Sequence, residues 1–194
     1  VLASCFERVA GMGEEAEAVY EYARRGKFAE VKQLLDTGVP PDGFMGYDGS
    51  TAFLIAARSG HGDVMSLLLE RKASLDARTE DGSAPLWHAV SGGSPDAVRV
   101  LLATGADPSE ANEDGVTPLI LASEYGQVEI VRMLLDARAD VNSAAEEWGS
   151  PLDTAKSAGH ADVVNILIAA GGQATGELAA PEGERRIAAG EKWG

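Results

Sequence analysis

Residues 114–142 read DGVTPLILASEYGQVEIVRMLLDARADVN, and this stretch is the clearest copy of a pattern that the chain repeats. An Asp-Gly pair opens it at Asp114, and the same pair stands 33 residues earlier at Asp81 and another 33 residues earlier at Asp48. Glycines recur with the same step, namely Gly60, Gly93, Gly126 and Gly159. A fixed period of this length, carrying a turn and two short apolar helices, is typical of stacked helical repeats.

Short motifs at the start of each repeat indicate the family that the chain resembles. Thr117-Pro118-Leu119 reproduces the first three residues of the T-P-L-H motif of ankyrin repeats. Ala84-Pro85-Leu86 and Ser150-Pro151-Leu152 are close copies, and Thr51-Ala52-Phe53 is a weaker one. The resemblance covers roughly residues 15–172. It implies an all-α ankyrin-repeat solenoid of helix-turn-helix units with short β-hairpin fingers.

The chain departs from the family at the fourth motif position, where ankyrin repeats carry histidine. The residues found there are Leu54, Trp87, Ile120 and Asp153. Since the family's histidine helps to tie a repeat to the next hairpin, the resemblance implies that the coupling between repeats is weaker or more apolar in this chain.

The period divides the chain into an N-terminal extension, about five repeats and a C-terminal tail. The extension is residues 1–13, the repeat domain is residues 14–172 and the tail is residues 173–194. Repeat boundaries fall at about 14–46, 47–79, 80–112, 113–145 and 146–172. The first and last repeats lack parts of the motif, as terminal caps with one solvated face do.

The two ends of the repeat domain carry more detailed predictions. Apolar spacing in the extension predicts either a short helix that stops at Gly11-Met12-Gly13 or an unstructured terminus. In the first repeat, the spacing predicts helices over 16–24 and 28–36. In the last repeat, Trp148 replaces the turn glycine, which predicts a distorted finger tip. The tail is rich in Gly, Ala and Glu, so it is predicted to be disordered unless the repeats or a partner hold it.

Composition narrows the function classes. A net charge of −15 and a pI near 4.5 argue against nucleic-acid binding, which requires clustered Lys and Arg, and favour either a basic partner or simple solubility. Cys5 is the only cysteine, so a reduced, intracellular setting is expected. No apolar run is long enough to span a membrane. The chain starts at Val1 without methionine, which leaves a cytoplasmic protein, an expression fragment and an imported organellar protein, such as a plastid one, all open.

The histidines do not form a catalytic or metal-binding pattern. His61 and His160 follow a glycine at the turn between two helices, where ankyrin repeats commonly carry Gly-His, so we interpret them as structural. His88 has no second His or Cys at ligand spacing, which argues against zinc. With no convergent nucleophile, base and orienting group, the sequence predicts no enzyme activity, no cofactor and no metal.

Acidic residues recur at the predicted fingers, and they lead to a hypothesis about the binding surface. Asp before Gly is explained by turn chemistry alone. The glutamates Glu80, Glu113 and Glu146 are either solvent-exposed side chains without a binding role or part of a surface for a basic partner. In the family, partners lie against the fingers and the exposed end of the first helix. Carried onto this sequence, the partner-binding positions are Tyr47, Asp48, Arg58, Arg78, Glu80, Asp81, Trp87, Glu113, Asp114, Tyr125, Glu146, Glu147 and Trp148.

Aromatic residues at these positions are candidate anchors, although Trp87 and Trp148 are equally well explained by packing within the repeats. The leading hypothesis is therefore a non-catalytic protein-protein interaction module or scaffold, which binds a basic or basic-aromatic segment on its concave finger surface. The alternative is a structural accessory subunit of a larger complex, held by the repeats and the termini. Size-exclusion chromatography separates the two, because an adaptor purifies alone and an obligate subunit is recovered only with its complex.

Overall fold

Proline and hydroxyl residues set the starts of the helices. In the computed structural model, which describes the backbone of residues 2–176 and the side chains of residues 13–176, three helices begin at Pro85, Pro118 and Pro151. Proline costs no hydrogen bond in a first turn, because its missing N–H would have no helical partner there. Thr117 and Ser150 cap two of these helices by accepting a hydrogen bond from a backbone N–H of the first turn.

The described residues form ten helices, which fall into two compact units. The N-terminal unit, Val1–Ala106, contains α1 (Leu2–Arg24), α2 (Phe28–Asp36), α3 (Ala52–Arg58), α4 (Gly62–Glu70), α5 (Pro85–Ser91) and α6 (Pro95–Ala103). The C-terminal unit, Asp107–Gly194, contains α7 (Pro118–Glu124), α8 (Val128–Asp136), α9 (Pro151–Ser157) and α10 (Ala161–Ala169). The all-α architecture of paired short helices that the period predicts is confirmed.

Each unit has its own apolar core, built from the periodic positions. In the N-terminal unit, α3 packs against α1 and α5, and Leu68 and Leu101 are fully buried. In the C-terminal unit, α7 packs against α9, and Leu134 and Leu167 are fully buried. A repeat cannot bury its apolar face alone, so the neighbouring helix pair supplies the rest of the core.

The first repeat departs from its prediction at one end. Helix α2 spans Phe28–Asp36, as the apolar spacing predicts, but α1 starts at Leu2 and continues through Gly11-Met12-Gly13 without a break. The predicted stop at these glycines was therefore wrong. A glycine inside a helix costs only about 1 kcal/mol relative to alanine, so favourable neighbours can carry a helix past it.

The fingers are tight turns rather than β-hairpins. Among the described residues there is no β-strand, and the only β-bridge is an isolated one between Ala145 and Gly149. The predicted hairpin character is thus corrected: each finger reverses direction so quickly that its arms are too short for a ladder of hydrogen bonds.

Two further predictions concern membrane-spanning helices and the C-terminal tail. None of the helices formed by the described residues has the length and apolar character needed to cross a bilayer. Most of the predicted tail, residues 177–194, lies outside the described residues.

Candidate functional site

One backbone hydrogen bond closes each of four fingers. We name them the first to fourth finger, and they comprise residues 46–50, 79–83, 112–116 and 145–149. The first residue donates its N–H to the carbonyl of the last residue, at 2.8, 3.3, 3.2 and 3.2 Å respectively. The first two fingers belong to the N-terminal unit and the last two to the C-terminal unit. The predicted site residues with acidic side chains all lie on these turns.

A glycine with positive φ makes three of the tips possible. Gly49, Gly82 and Gly115 occupy the fourth position of their fingers, with φ of 78°, 75° and 75°. In the last finger Trp148 holds this position, and the positive φ moves one residue on, to Gly149 at 68°. The left-handed conformation is strained for a residue with a Cβ, which explains the shift. The predicted distortion of this tip is confirmed.

In the first finger, the carboxylate of Asp48 stabilises the turn. Its Oδ1 accepts a hydrogen bond from the N–H of Ser50 at 2.9 Å, and the Ser50 hydroxyl lies 2.9 Å from the Tyr20 hydroxyl. Partial burial would raise the pKa of Asp48, but the hydrogen bonds from Ser50 outweigh it and hold the pKa below its ordinary value. This aspartate is therefore explained by turn chemistry.

The second finger has a denser network around Asp81. Asp81 accepts hydrogen bonds from the Thr79 hydroxyl at 2.6 Å, the Ser83 N–H at 3.2 Å and the Ser83 hydroxyl at 2.9 Å. Burial opposes ionisation of Asp81, but these bonds hold its pKa below the ordinary value. The two fingers are joined directly, because the Glu80 N–H donates to the Asp48 carbonyl at 2.9 Å.

The fingers of the C-terminal unit close without using their acids. In the third finger, Asn112 Oδ1 accepts the Val116 N–H at 2.9 Å. In the fourth, the Thr154 hydroxyl donates to the Trp148 carbonyl at 2.9 Å. Four carboxylates on these two fingers are exposed and have no hydrogen bond or ion pair to any described residue, and they are Glu113, Asp114, Glu146 and Glu147. We call them the free carboxylates.

Asp153 ties the last repeat to the segment that follows it. Its Oδ2 accepts the N–H and the hydroxyl of Thr175, each at 2.8 Å, and the hydroxyl of Ser150 at 2.6 Å. Burial alone would raise the pKa of Asp153, but these donors lower it to about 2. Asp153 stands where the family has histidine, and its bonds go to Ser150 in its own repeat and to Thr175 in the segment that follows.

The turn histidines have the structural role predicted for them. His61 Nε2 lies 3.2 Å from the carbonyl of Arg24, and His160 Nε2 lies 2.8 Å from the carbonyl of Glu124. Each ring thus bonds to the last residue of a helix in the preceding repeat, where carbonyls lack helical partners. A Cβ on Gly126 would approach the His160 ring to 2.5 Å, so that position requires glycine.

The structure buries two of the predicted aromatic anchors. Trp87 is 4% exposed and Trp148 is 3% exposed, so their proposed role as surface anchors is corrected to that of buried side chains. Both indoles are large apolar groups, and burying them is more favourable than leaving them in water. Tyr47, in contrast, is fully exposed, and Tyr125 is half-buried.

The remaining predicted positions are more accessible. Glu80 is exposed, whereas Arg58 and Arg78 are half-buried. The guanidinium of Arg78 donates to the carbonyls of Ala77 and Leu75, at 2.8 and 3.4 Å, which directs part of its charge toward the backbone. Met45, which is 65% exposed, adds apolar surface beside Tyr47. It was not among the predicted site residues, although its place in the loop before the first finger was a signal.

The other surfaces and chemistry of the described residues do not suggest a second site. No group of three or more His, Cys, Asp or Glu among them could hold a metal ion. An open groove of about 630 Å³ is lined by residues of α8 and α10, and none of its lining residues is a predicted site residue. The fingers therefore stay the candidate site.

Comparison with known proteins supports the repeat assignment. The family model for ankyrin repeats in sets of three copies matches residues 19–112, 72–145 and 105–177. These overlapping matches span residues 19–177, which is most of the chain. No curated protein is found to match it.

Proposed function

Because this chain belongs to the ankyrin-repeat family, we propose that it is a non-catalytic scaffold that binds a basic segment of a protein partner on its fingers. Members of the family are generally protein-protein interaction modules and are typically non-catalytic. The basic character of the partner is our inference for this chain, and it rests on the charges of the fingers.

The observation that carries the proposal is the set of free carboxylates in the C-terminal unit. Several exposed acids elsewhere are paired with cations on or near their own helices: Glu21 with Arg24, Asp36 with Lys32 and Arg71, and Asp96 with Arg99. Glu113, Asp114, Glu146 and Glu147 have no such cation among the described residues and do not stabilise the turns. Four unpaired like charges on two turns repel one another, and a bound Lys or Arg would relieve this repulsion.

The net negative charge of the C-terminal unit strengthens the attraction of the free carboxylates for a basic partner. Residues 107–176 contain twelve acidic and only three basic residues, whereas residues 13–106 contain fourteen acidic and nine basic ones. An uncompensated negative field accelerates the encounter with a basic ligand and weakens as salt is added. The acids therefore contribute mainly to the association rate, and apolar contacts contribute to residence time.

The first finger offers apolar contact of the kind that such a partner needs. Tyr47 is fully exposed and Met45 is 65% exposed, while Phe44 packs edge-on against Tyr20 at 5.3 Å. Tyrosine and methionine are enriched at interfaces, because they bury a large area and adapt to a partner. Aromatic or apolar side chains of a partner would match the first finger.

A selection from a displayed random peptide library tests the proposal, because it needs no partner chosen in advance. We expect the wild-type protein to enrich peptides rich in Lys and Arg, and we expect their association rate to fall as salt is raised. The double variant Glu113→Lys/Glu146→Lys should slow the association of these peptides by about ten-fold or more at low salt, the size of effect that electrostatic steering has.

The matched control changes the same net charge on the same unit. Glu129→Lys/Asp136→Lys reverses two acids of α8, one in its first turn and one at its last residue, so the opposite effects on the helix dipole largely cancel. This variant should bind the selected peptides more nearly at the wild-type rate. If the library yields neutral or acidic peptides, or if both variants lose binding equally, the fingers are not the basic-partner site.

A further inference from the structure

A buried histidine lies directly behind the second finger. His88 on α5 is 6% exposed, and its Nε2 lies 3.1 Å from the hydroxyl of Thr79, the first residue of the finger. The same hydroxyl lies 2.6 Å from Oδ1 of Asp81 at the tip. Asp81 in turn accepts the N–H and the hydroxyl of Ser83, the last residue of the finger. A chain of side chains thus joins the helix to the start, tip and end of the finger.

The chemistry of these groups determines which atom carries the proton in each of these hydrogen bonds. An ionised carboxylate only accepts hydrogen bonds, so the single hydroxyl proton of Thr79 points to Asp81. Toward His88, the Thr79 oxygen can then act only as an acceptor. The proton between them must therefore be on His88 Nε2, which fixes the neutral ring in its Nε2–H tautomer.

The network reaches beyond the second finger. Glu80 stands between Thr79 and Asp81, and its N–H donates to the Asp48 carbonyl of the first finger at 2.9 Å. Asp48 and Asp81 both lie close enough to His88 to favour its protonated form, while burial and the positive charge of Arg58 oppose it. The position of His88 thus bears on both fingers of the N-terminal unit.

We propose that His88 is a positioning residue: through Thr79 and Asp81 it holds the two fingers of the N-terminal unit in the arrangement in which they meet a partner. The functional meaning rests on the proposed function, since that assigns binding to the fingers. The tautomer and the order of the fingers do not depend on a partner, so they can be tested separately from it.

The alternative is that His88 only fills space in the core. Its ring packs edge-on against Trp87 with centroids 5.5 Å apart, a contact that any flat or apolar side chain could partly replace. A space-filling role predicts that Leu substitutes at least as well as Gln. A positioning role predicts the reverse, because the Gln side chain can place an N–H donor near the site of Nε2 whereas Leu cannot.

Three variants of the full chain separate these roles. His88→Gln retains a donor, His88→Leu removes it, and Thr79→Val removes the acceptor hydroxyl at nearly constant shape without changing the buried ring. Thr154→Val is the matched control, because it removes the hydroxyl that bonds to the Trp148 carbonyl of the fourth finger. Amide hydrogen exchange at Glu80, Gly82 and Ser83 reports on the second finger, and imidazole nitrogen chemical shifts report on the tautomer.

We expect His88 to show the Nε2–H signature at neutral pH. Exchange at the second finger should rise about ten-fold in His88→Leu, as the loss of one buried hydrogen bond implies. It should rise at least as much in Thr79→Val, which removes the bond to Asp81 as well as the bond to His88. It should stay within a few-fold of wild type in His88→Gln and Thr154→Val. The Asn112 and Val116 amides of the third finger should not respond to the His88 or Thr79 variants.

Several results would overturn the proposal. They are an Nδ1–H signature, unchanged exchange in Thr79→Val, or equal protection in His88→Gln and His88→Leu. Should His88→Leu fail to fold, the wild-type nitrogen shifts decide the matter, because Thr79→Val also removes the bond to Asp81. Normal peptide binding by Thr79→Val, despite a loosened finger, would count against the functional role of His88 while leaving the proposed scaffold function intact.

Discussion

The fingers of the two units have the same backbone closure, but among the described residues aspartates stabilise the turns only in the N-terminal unit. In the N-terminal unit, Asp48 and Asp81 accept hydrogen bonds from their own turns. In the C-terminal unit, Asn112 and Thr154 support the turns, and the neighbouring carboxylates have no partner among the described residues. Asp48 and Asp81 therefore have a structural role in their fingers that the free carboxylates of the C-terminal unit lack, whereas Glu80 on the second finger is exposed as the free carboxylates are.

The difference shows that repeat position alone does not define the role of a residue. Asp81 and Asp114 are separated by one period and each precedes a glycine with positive φ. What differs is the first finger residue, Thr79 in one case and Asn112 in the other. Because the Asn112 side chain already bonds to the turn, Asp114 is not needed there.

The largest losses of stability should come from substitutions in the apolar core of each unit, because the fingers of both units depend on a folded core. Leu101→Ala and Leu134→Ala should each cost about 2–5 kcal/mol of stability, because both leucines are fully buried and leave a cavity. Urea unfolding followed by tryptophan fluorescence measures this. Leu102→Ala and Leu135→Ala are matched controls at half-buried neighbours and should cost less. Losses below about 1 kcal/mol at Leu101 or Leu134 would contradict the assigned core.

A pH titration sharpens the comparison, because only the N-terminal fingers contact a buried histidine among the described residues. Burial, helped by Arg58, lowers the pKa of His88 from 6.5 to about 4, although Asp81 and Asp48 oppose the shift. Between these values the unfolded chain binds a proton that the folded chain does not. Stability is therefore complete above about pH 6.5 and falls as the pH drops toward 4, by about 3 kcal/mol in total.

The control for this titration is His88→Gln, which cannot take up the proton. The difference in unfolding free energy between wild type and the variant should shrink as the pH falls through this window. A difference that is constant from pH 7 to pH 4.5 would mean that the ring is already charged, or is solvated, in the folded protein.

The smallest predicted effect compares the two aspartates directly. Asp81→Ala should cost about 1–3 kcal/mol, because it leaves the Thr79 and Ser83 donors without their acceptor in a partly buried site. Asp114→Ala should change stability by less than about 0.5 kcal/mol, as expected for an exposed side chain without partners among the described residues. Thermal unfolding of wild type and the two variants under the same conditions measures both changes in stability. Equal losses would mean that the turn chemistry of the two units is the same.

Much of the fold could be predicted from the sequence because its determinants are local and repeat. The period located helix α2 at Phe28–Asp36 and the helix starts near Pro118 and Pro151. It also identified Leu101 and Leu134 as core residues. The continuation of α1 through Gly11-Met12-Gly13 was missed, because a glycine pair signals a stop without showing whether its neighbours outweigh the cost.

The candidate site was predictable only in part. The sequence placed acids on the fingers, but it did not distinguish Asp81, which has three hydrogen bonds, from Asp114, which has none to the described residues. Nor did it show that Trp87 is buried while Tyr47 is exposed, since both occupy positions that partners contact in the family.

By itself, the sequence determined the period, the helix starts, the turn glycines and the net charge, because each depends on a residue and its near neighbours. The tertiary structure alone decided which polar groups meet across the turns, such as His88 with Thr79 and Asp153 with Thr175, which are 9 and 22 residues apart. Hydrogen bonds act over about 3 Å, so partners are fixed only when the packed helices bring the groups together. The same packing decided which finger carboxylates form hydrogen bonds to their turns.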